Sequence, residues 1–353
     1  MAIDLKIDRR GLFHGAFAAL IGGSLALSHR AVRAAPQWPG ASLFTAARID
    51  GIDGGALLCD EAVCSFPLPA RAHAPVLMRE AGAVILVGRR PGTFAAVLDL
   101  EAPEAPARIF HPIAGHRFVG HAAVNGEALF TTEMDELTGD GAAVLRNARS
   151  FAPRARFAAG IEPHDVLFAR GGEVLVVAIG GIARAADVKG PAINAGRIES
   201  AILELDPRSG AVLKRHALPA DMSSLSLRHM ALASDGETVA FGMQDQDRST
   251  VRPLMGLLRV GRGIDLLPLP ADDEGALRSY IGSVAIDASG RYVAATSPVG
   301  ERPQAGKAAF GRGGGNVAVH GDVVQLSAGA NKGLAAAGHW RAPAAFDNHL
   351  LRS

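Results

Sequence analysis

Several things are scarce in this sequence. Aromatic residues make up only 5% of the 353, yet 48% of the chain is hydrophobic and 20% charged, which is enough to bury a large core and excludes intrinsic disorder. The formal charge is +1, so there is no basic excess of the kind that nucleic acid or an anionic surface requires. Cysteine occurs twice, at Cys59 and Cys64, and no Cys-x-x-Cys-His is present to attach a haem. The glycine-rich run 310–316 lacks the Lys-Ser/Thr of a phosphate-binding loop. Past the first 35 residues no long segment has helical periodicity.

What is present begins with a targeting pattern. Arg9 and Arg10, followed by Gly11-Leu12-Phe13, read as a twin-arginine signal. An apolar stretch from Gly11 to Leu27 follows, then basic residues and small ones around Ala34-Ala35. The stretch is close to the lower limit of a spanning helix, roughly 17 residues. Cleavage and release into a periplasm are therefore expected over membrane anchoring. Residues 1–34 are read as the signal peptide and 35–353 as one domain, whose mature charge is −2. In an oxidising compartment Cys59 and Cys64 are expected to form a local disulfide rather than part of a metal site.

The body of the chain repeats one hairpin. His73–Met78 runs into Ala83–Val87, His121–Val124 into Ala128–Thr132, and His164–Phe168 into Val174–Ala178. His229–Ala233 runs into Thr238–Phe241, and Ser283–Asp287 into Tyr292–Thr296, each across a Gly-containing turn. Further strand pairs follow, such as Ala201–Leu205 with Ala211–Pro219. The starts at 73, 121, 164, 229 and 283 have the spacing of four-stranded blades with insertions. The expectation is an all-β fold, a β-propeller of four-stranded blades, with seven favoured over six. A sixth start is read at Asp322 and a seventh at Asn348-His349, with N- and C-terminal strands closing the last blade.

In a propeller the first strand of each blade lines the central channel, so equivalent positions form a ring. His73, His121, His164, His229 and His349 all fall at the start of a first strand. Glu133 and Asp165 are the nearest carboxylates in the pattern; Arg89, Arg90, Asp135, Gln244 and Asp245 are expected around the same mouth. Imidazoles with one or two carboxylates form a nitrogen-rich set that suits iron, copper or zinc better than calcium. The same groups can act as acid and base, with Glu133 or Asp165 orienting a histidine. Any one of these histidines can equally be a strut, bonded to the backbone of the next blade.

Arg89-Arg90-Pro91-Gly92, Gly120-His121, Thr132-Glu133, Pro163-His164-Asp165, Arg228-His229, Gly282-Ser283-Val284-Ala285 and Asp347-Asn348-His349-Leu350 occur in this order along the chain. This series resembles a family of twin-arginine-exported proteins of unknown biochemical function, relatives of the YVTN and quinoprotein amine dehydrogenase-like propellers. The resemblance covers the mature chain, although Met134 and the short segment between Gly311 and Gly333 depart from it. Such proteins are often encoded beside imelysin-like iron-uptake proteins, which implies an iron-related periplasmic role and iron-uptake proteins as partners. Three functions compete on these grounds: a non-enzymatic binder of iron or of an iron-handling partner, an enzyme such as a lactonase, metal-assisted hydrolase or oxidoreductase, and a pure interaction scaffold.

Overall fold

The computed structural model describes residues 43–49, 52–59, 62–102, 105–184, 192–194, 197–269, 274–275, 277–286, 293–297, 308–311, 317–320, 323–328, 333–335, 339–340 and 344–352. The signal-peptide reading at 1–34, with Arg9 and Arg10, lies outside these residues. Among them, no helix is long and apolar enough to cross a membrane.

In chain order the strands are β1 (Leu43–Ile49), β2 (Ile52–Cys59), β3 (Ala62–Pro67), β4 (Ala72–Met78), β5 (Ala83–Gly88), β6 (Ala95–Asp99) and β7 (Arg108–Phe110). Then come β8 (His116–Asn125), β9 (Ala128–Asp135), β10 (Asp140–Asn147), β11 (Pro153–Ile161), β12 (Pro163–Ala169), β13 (Val174–Ile179), β14 (Ala201–Leu205) and β15 (Val212–Ala217). The later ones are β16 (Leu225–Leu232), β17 (Thr238–Asp245), β18 (Met255–Arg259), β19 (Gly263–Leu266), β20 (Ser283–Ile286), β21 (Val293–Thr296) and β22 (Ala308–Gly311). The last five are β23 (Val317–His320), β24 (Val323–Ala328), β25 (Gly333–Ala335), β26 (His339–Trp340) and β27 (Ala344–Arg352).

Among the described residues these strands make seven sheets, six of four strands and one of three. Consecutive strands pair in order within each sheet, and β27 adds to the edge of β1 to complete the sheet begun by β1–β3. The first strands touch in sequence: β4 meets β8, β8 meets β12, β12 meets β16, β16 meets β20, β20 meets β23, β23 meets β27, and β27 meets β4. That closed circuit of inner strands makes the fold a β-propeller.

The residue pattern explains the layering. β5 and β13 are buried at all six positions, as expected of second strands covered on both faces by neighbouring sheets. The outer strands β11 and β15 are mostly exposed. With few rings available, small aliphatic residues fill most of the interior, and six phenylalanines are grouped at the seams between sheets. Phe110, Phe118 and Phe151 gather between the sheets of β4 and β8, and Phe130, Phe157 and Phe168 beside the sheet of β12. Two expectations about the C-terminal third change. The sixth start is expected at Asp322, itself outside the described residues; the strand that follows it, Val323–Ala328, is the second of its sheet and Val317–His320 the first, and short outer strands, 333–335 and 339–340, fit that sheet into the available length. The sheet that starts at Ser283 has three described strands, and β22 runs parallel to β21.

Candidate metal centre

Four histidines come from four successive inner strands: His73 from β4, His121 from β8, His164 from β12 and His229 from β16. They are not strand-initial, as the sequence pattern suggested. Each lies where its strand slips register against the second strand. The irregularity falls between Ala72 and Pro75 in β4, Phe118 and Ala122 in β8, Pro163 and Asp165 in β12, and Leu227 and Met230 in β16. A β-bulge breaks the strict alternation of side chains and turns one of them to a new direction. Here the bulges turn four imidazoles toward one another. In β27 the partners of β1 jump from Leu350 to Phe346, so His349 also lies in a bulged stretch; its side chain is outside the described residues.

The rings form a tight group. Centroids are 5.0 Å apart for His73 and His121, 5.3 Å for His121 and His164, and 4.9 Å for His164 and His229. His229 also stands 5.5 Å from His121 and 6.2 Å from His73. All four residues are buried, between 2% and 8% exposed. One ligand nitrogen from each of His73, His121 and His164 lies within 4.8 Å of the others. Around a zinc ion with bonds of about 2.0–2.1 Å, tetrahedral nitrogens stand roughly 3.3 Å apart, so modest side-chain rotations would close the set.

Gly120 makes room for this approach. Its φ is +123°, and a Cβ there would lie 2.8 Å from Cδ2 of His73. Only glycine meets both demands beside His121.

Asp165 orients one ring. Its Oδ1 lies 3.0 Å from Nδ1 of His121, so that ring donates its Nδ1–H to the carboxylate. Val166 N–H donates to the same oxygen at 2.8 Å, and Met230 N–H of β16 donates to Oδ2 at 2.8 Å. The carboxylate thus ties two neighbouring blades together as well as aiming His121.

His164 is held differently. Arg228 Nη1 donates to its Nδ1 at 3.0 Å, while its Nε2 is buried and makes no hydrogen bond. Burial first, then Arg228, holds the His164 imidazole well below its usual range; burial and the neighbouring histidines do the same for His229. Both rings are therefore neutral near pH 7, as metal ligation requires.

Behind His164 lies a group that sequence reasoning passed over. Glu162 is fully buried with φ of +55°, a sparsely populated conformation for a residue with a side chain. Its Oε1 receives both Arg90 Nη1 and Arg228 Nη1, and its Oε2 receives Ile182 N–H at 3.2 Å. Burial pushes this carboxyl up, but Arg228 and Arg90 more than offset it and leave it below its usual range. Arg228 Nη2 donates to Gln244 Oε1 at 2.9 Å, so Gln244 belongs to the same group. The sequence offered only the phrases Pro163-His164-Asp165 and Arg228-His229 as hints of it.

The remaining expected residues are elsewhere. Both oxygens of Glu133 are engaged within its own sheet and the adjoining seam: Arg146 Nη2 at 2.6 Å and Thr131 Oγ1 at 2.7 Å on one, Ile113 N–H at 2.8 Å on the other. It is a structural carboxylate because its partner Arg146 is itself packed over Phe110 and Phe118. Asp135 caps a turn through Leu137 and Thr138 N–H. Asp245 pairs with Arg252 Nη1 at 2.9 Å and lines a cavity of about 300 Å³ with Thr250, Glu274 and Ser279. Arg89 is exposed. The strand register sets Cys64 opposite Leu57 and Cys59 opposite Ala62, and their side chains are outside the described residues.

Comparison with known proteins agrees with this architecture. The profile of a family described as protein of unknown function (DUF1513) matches residues 66–352. No curated protein matches the chain. Among solved structures, Kuenenia stuttgartiensis hydrazine synthase is similar at a TM-score of 0.51 and 13% identity, covering 69% of this chain and 67% of that one. TolB from Acinetobacter baumannii gives 0.48 and 12%, covering 89% and 69%; AztD from Citrobacter koseri gives 0.47 and 9%, covering 89% and 98%. At such identities the first of these likenesses speaks for the fold alone.

Proposed function

We propose that this chain, which belongs to the DUF1513 family of proteins of unknown function, holds a transition-metal ion through His73, His121 and His164, with His229 closing the site. The observation that carries this reading is the convergence of three buried imidazole nitrogens within 4.8 Å, delivered by bulges in successive blades. Three imidazoles suit iron, copper or zinc. The buried Nε2 of His164 is a polar atom without a hydrogen-bond partner, and once its proton moves to Nδ1 an ion would meet its lone pair. Asp165 behind His121 is the outer-shell carboxylate that fixes a metal-binding tautomer. Burial of all four rings suits retention of an ion more than turnover of a substrate, so the protein is a binder rather than an enzyme in this reading. The signal pattern around Arg9-Arg10 supports export to a periplasm, where an iron-handling protein would be the partner.

Elemental analysis of protein exported to and purified from a periplasm tests the site. The expected result is stoichiometric iron, copper or zinc, lost in the His121→Ala/His164→Ala double variant. Asp165→Asn, which leaves every ligand in place, is expected to weaken affinity by about 10–100-fold. Metal-free parent protein with a full-length cooperative melt would instead leave the four rings as packing between blades.

A further inference from the structure

A cation site walled by arginines needs explaining. Arg90 and Arg228 share a single oxygen of Glu162. Two guanidiniums thus meet on one carboxylate oxygen next to the histidines, and the side chain of Arg228 is only 4% exposed. Two guanidiniums that share one carboxylate oxygen have donors to spare for an anion. Arg228 also has a buried Nε–H that makes no hydrogen bond.

The same arginine sets His164 against metal binding. Because Arg228 Nη1 donates to Nδ1, the proton of the neutral ring is on Nε2, the atom that would face an ion. For Nε2 to ligate, that proton must leave and Nδ1 must take one up, which requires Arg228 to withdraw. Glu162 Oε1, 3.7 Å from Nδ1, is then the acceptor for the new Nδ1–H. The exchange moves one proton from one ring nitrogen to the other and leaves the charge of the ring unchanged.

We infer that the mouth binds a small oxyanion together with the metal, the anion on Arg90 and Arg228 and the cation on the histidines. This rests on the metal reading above. The anion draws Arg228 from His164, gives its unpartnered Nε–H an acceptor, and frees Nε2 for the ion. A carboxylate or carbonate matches the planar fork of a guanidinium; phosphate offers the same oxygen chemistry in tetrahedral form.

The test is Co(II) titration of the full, metal-stripped chain, followed by visible ligand-field absorption. It is run in chloride buffer alone and with millimolar bicarbonate, acetate or phosphate. The expected result is an affinity at least about tenfold tighter with one of these, within the ordinary range for coupled ligands. A response to bicarbonate or acetate identifies a planar anion, and a response to phosphate a tetrahedral one. Arg228→Gln should bind Co(II) without the anion and lose the response. Arg90→Gln should lose the response while keeping the weaker, anion-free affinity; melting by circular dichroism verifies that both variants fold. Equal affinity in every buffer overturns the oxyanion and leaves the metal site standing. Folded parent protein that takes up no Co(II) in any buffer overturns the metal reading itself.

Discussion

At the scale of residues, small changes decide whether the four rings can meet. Gly120 is the clearest case, because its backbone and the space beside it both exclude a side chain. Gly120→Ala is expected to lower stability by about 1–3 kcal/mol, the usual cost of a forced backbone conformation. The added methyl presses on His73, so metal uptake should fall as well. Chemical denaturation of the metal-free variant measures the first effect and metal titration the second; an unchanged denaturation midpoint would mean the close approach to His73 is unimportant. Asp165 and Glu162 show that two carboxylates a short distance apart can have unlike tasks. One accepts from a histidine and from the backbone of the next blade, the other gathers arginines.

At the scale of elements, the bulge is the unit that makes the site, and the seam between sheets is the unit that makes the core. In the sheet of β8, Arg146 is 2% exposed and joins Glu133, Thr131 and the carbonyl of Phe151 beneath two phenylalanine rings. Arg146→Leu would leave the Glu133 carboxylate buried without its counter-charge, and a loss of about 3–5 kcal/mol is expected. Replacing both residues by apolar ones of similar size should recover much of it. Urea unfolding of the single and double variants checks this; a single variant as stable as the parent would show the pair to be dispensable. Neither variant touches the histidines, so metal binding per folded molecule should be retained.

At the scale of the whole molecule, stability depends on closing a circle. β27 pairs with β1 and touches both β4 and β23, so one strand links the two ends of the described chain. Truncation before Ala344 would expose the edge of β1 and open the ring of inner strands. The expected outcome is loss of cooperative thermal unfolding, seen by calorimetry, rather than a local effect confined to one sheet. A truncated chain with the parent's melt would show that the remaining sheets hold without closure. The four histidines likewise come from four sheets, so the proposed metal site depends on the closed ring.

The propeller was legible in the sequence because its signals are local. Each hairpin is written in adjacent residues: an apolar run, a turn with glycine, a second run of Val, Leu and Ala. Repetition of that unit implies a ring, and a ring implies that equivalent positions converge. His73, His121, His164 and His229 are therefore legible as one group in the sequence alone. Three-dimensional structure alone decided how they converge, since a bulge is a relation between two strands and leaves no mark in either one. It alone separated Glu133 from the histidines, because a period-two strand pattern cannot say which buried cation a carboxylate will meet. Glu162, between β11 and β12, and Arg228 of β16 are 66 residues apart in sequence and meet at hydrogen-bonding distance, with Arg90 72 residues from Glu162 on the other side. Charge neutralisation in a buried space depends on distance through the fold, and that distance is what the linear order of residues does not contain.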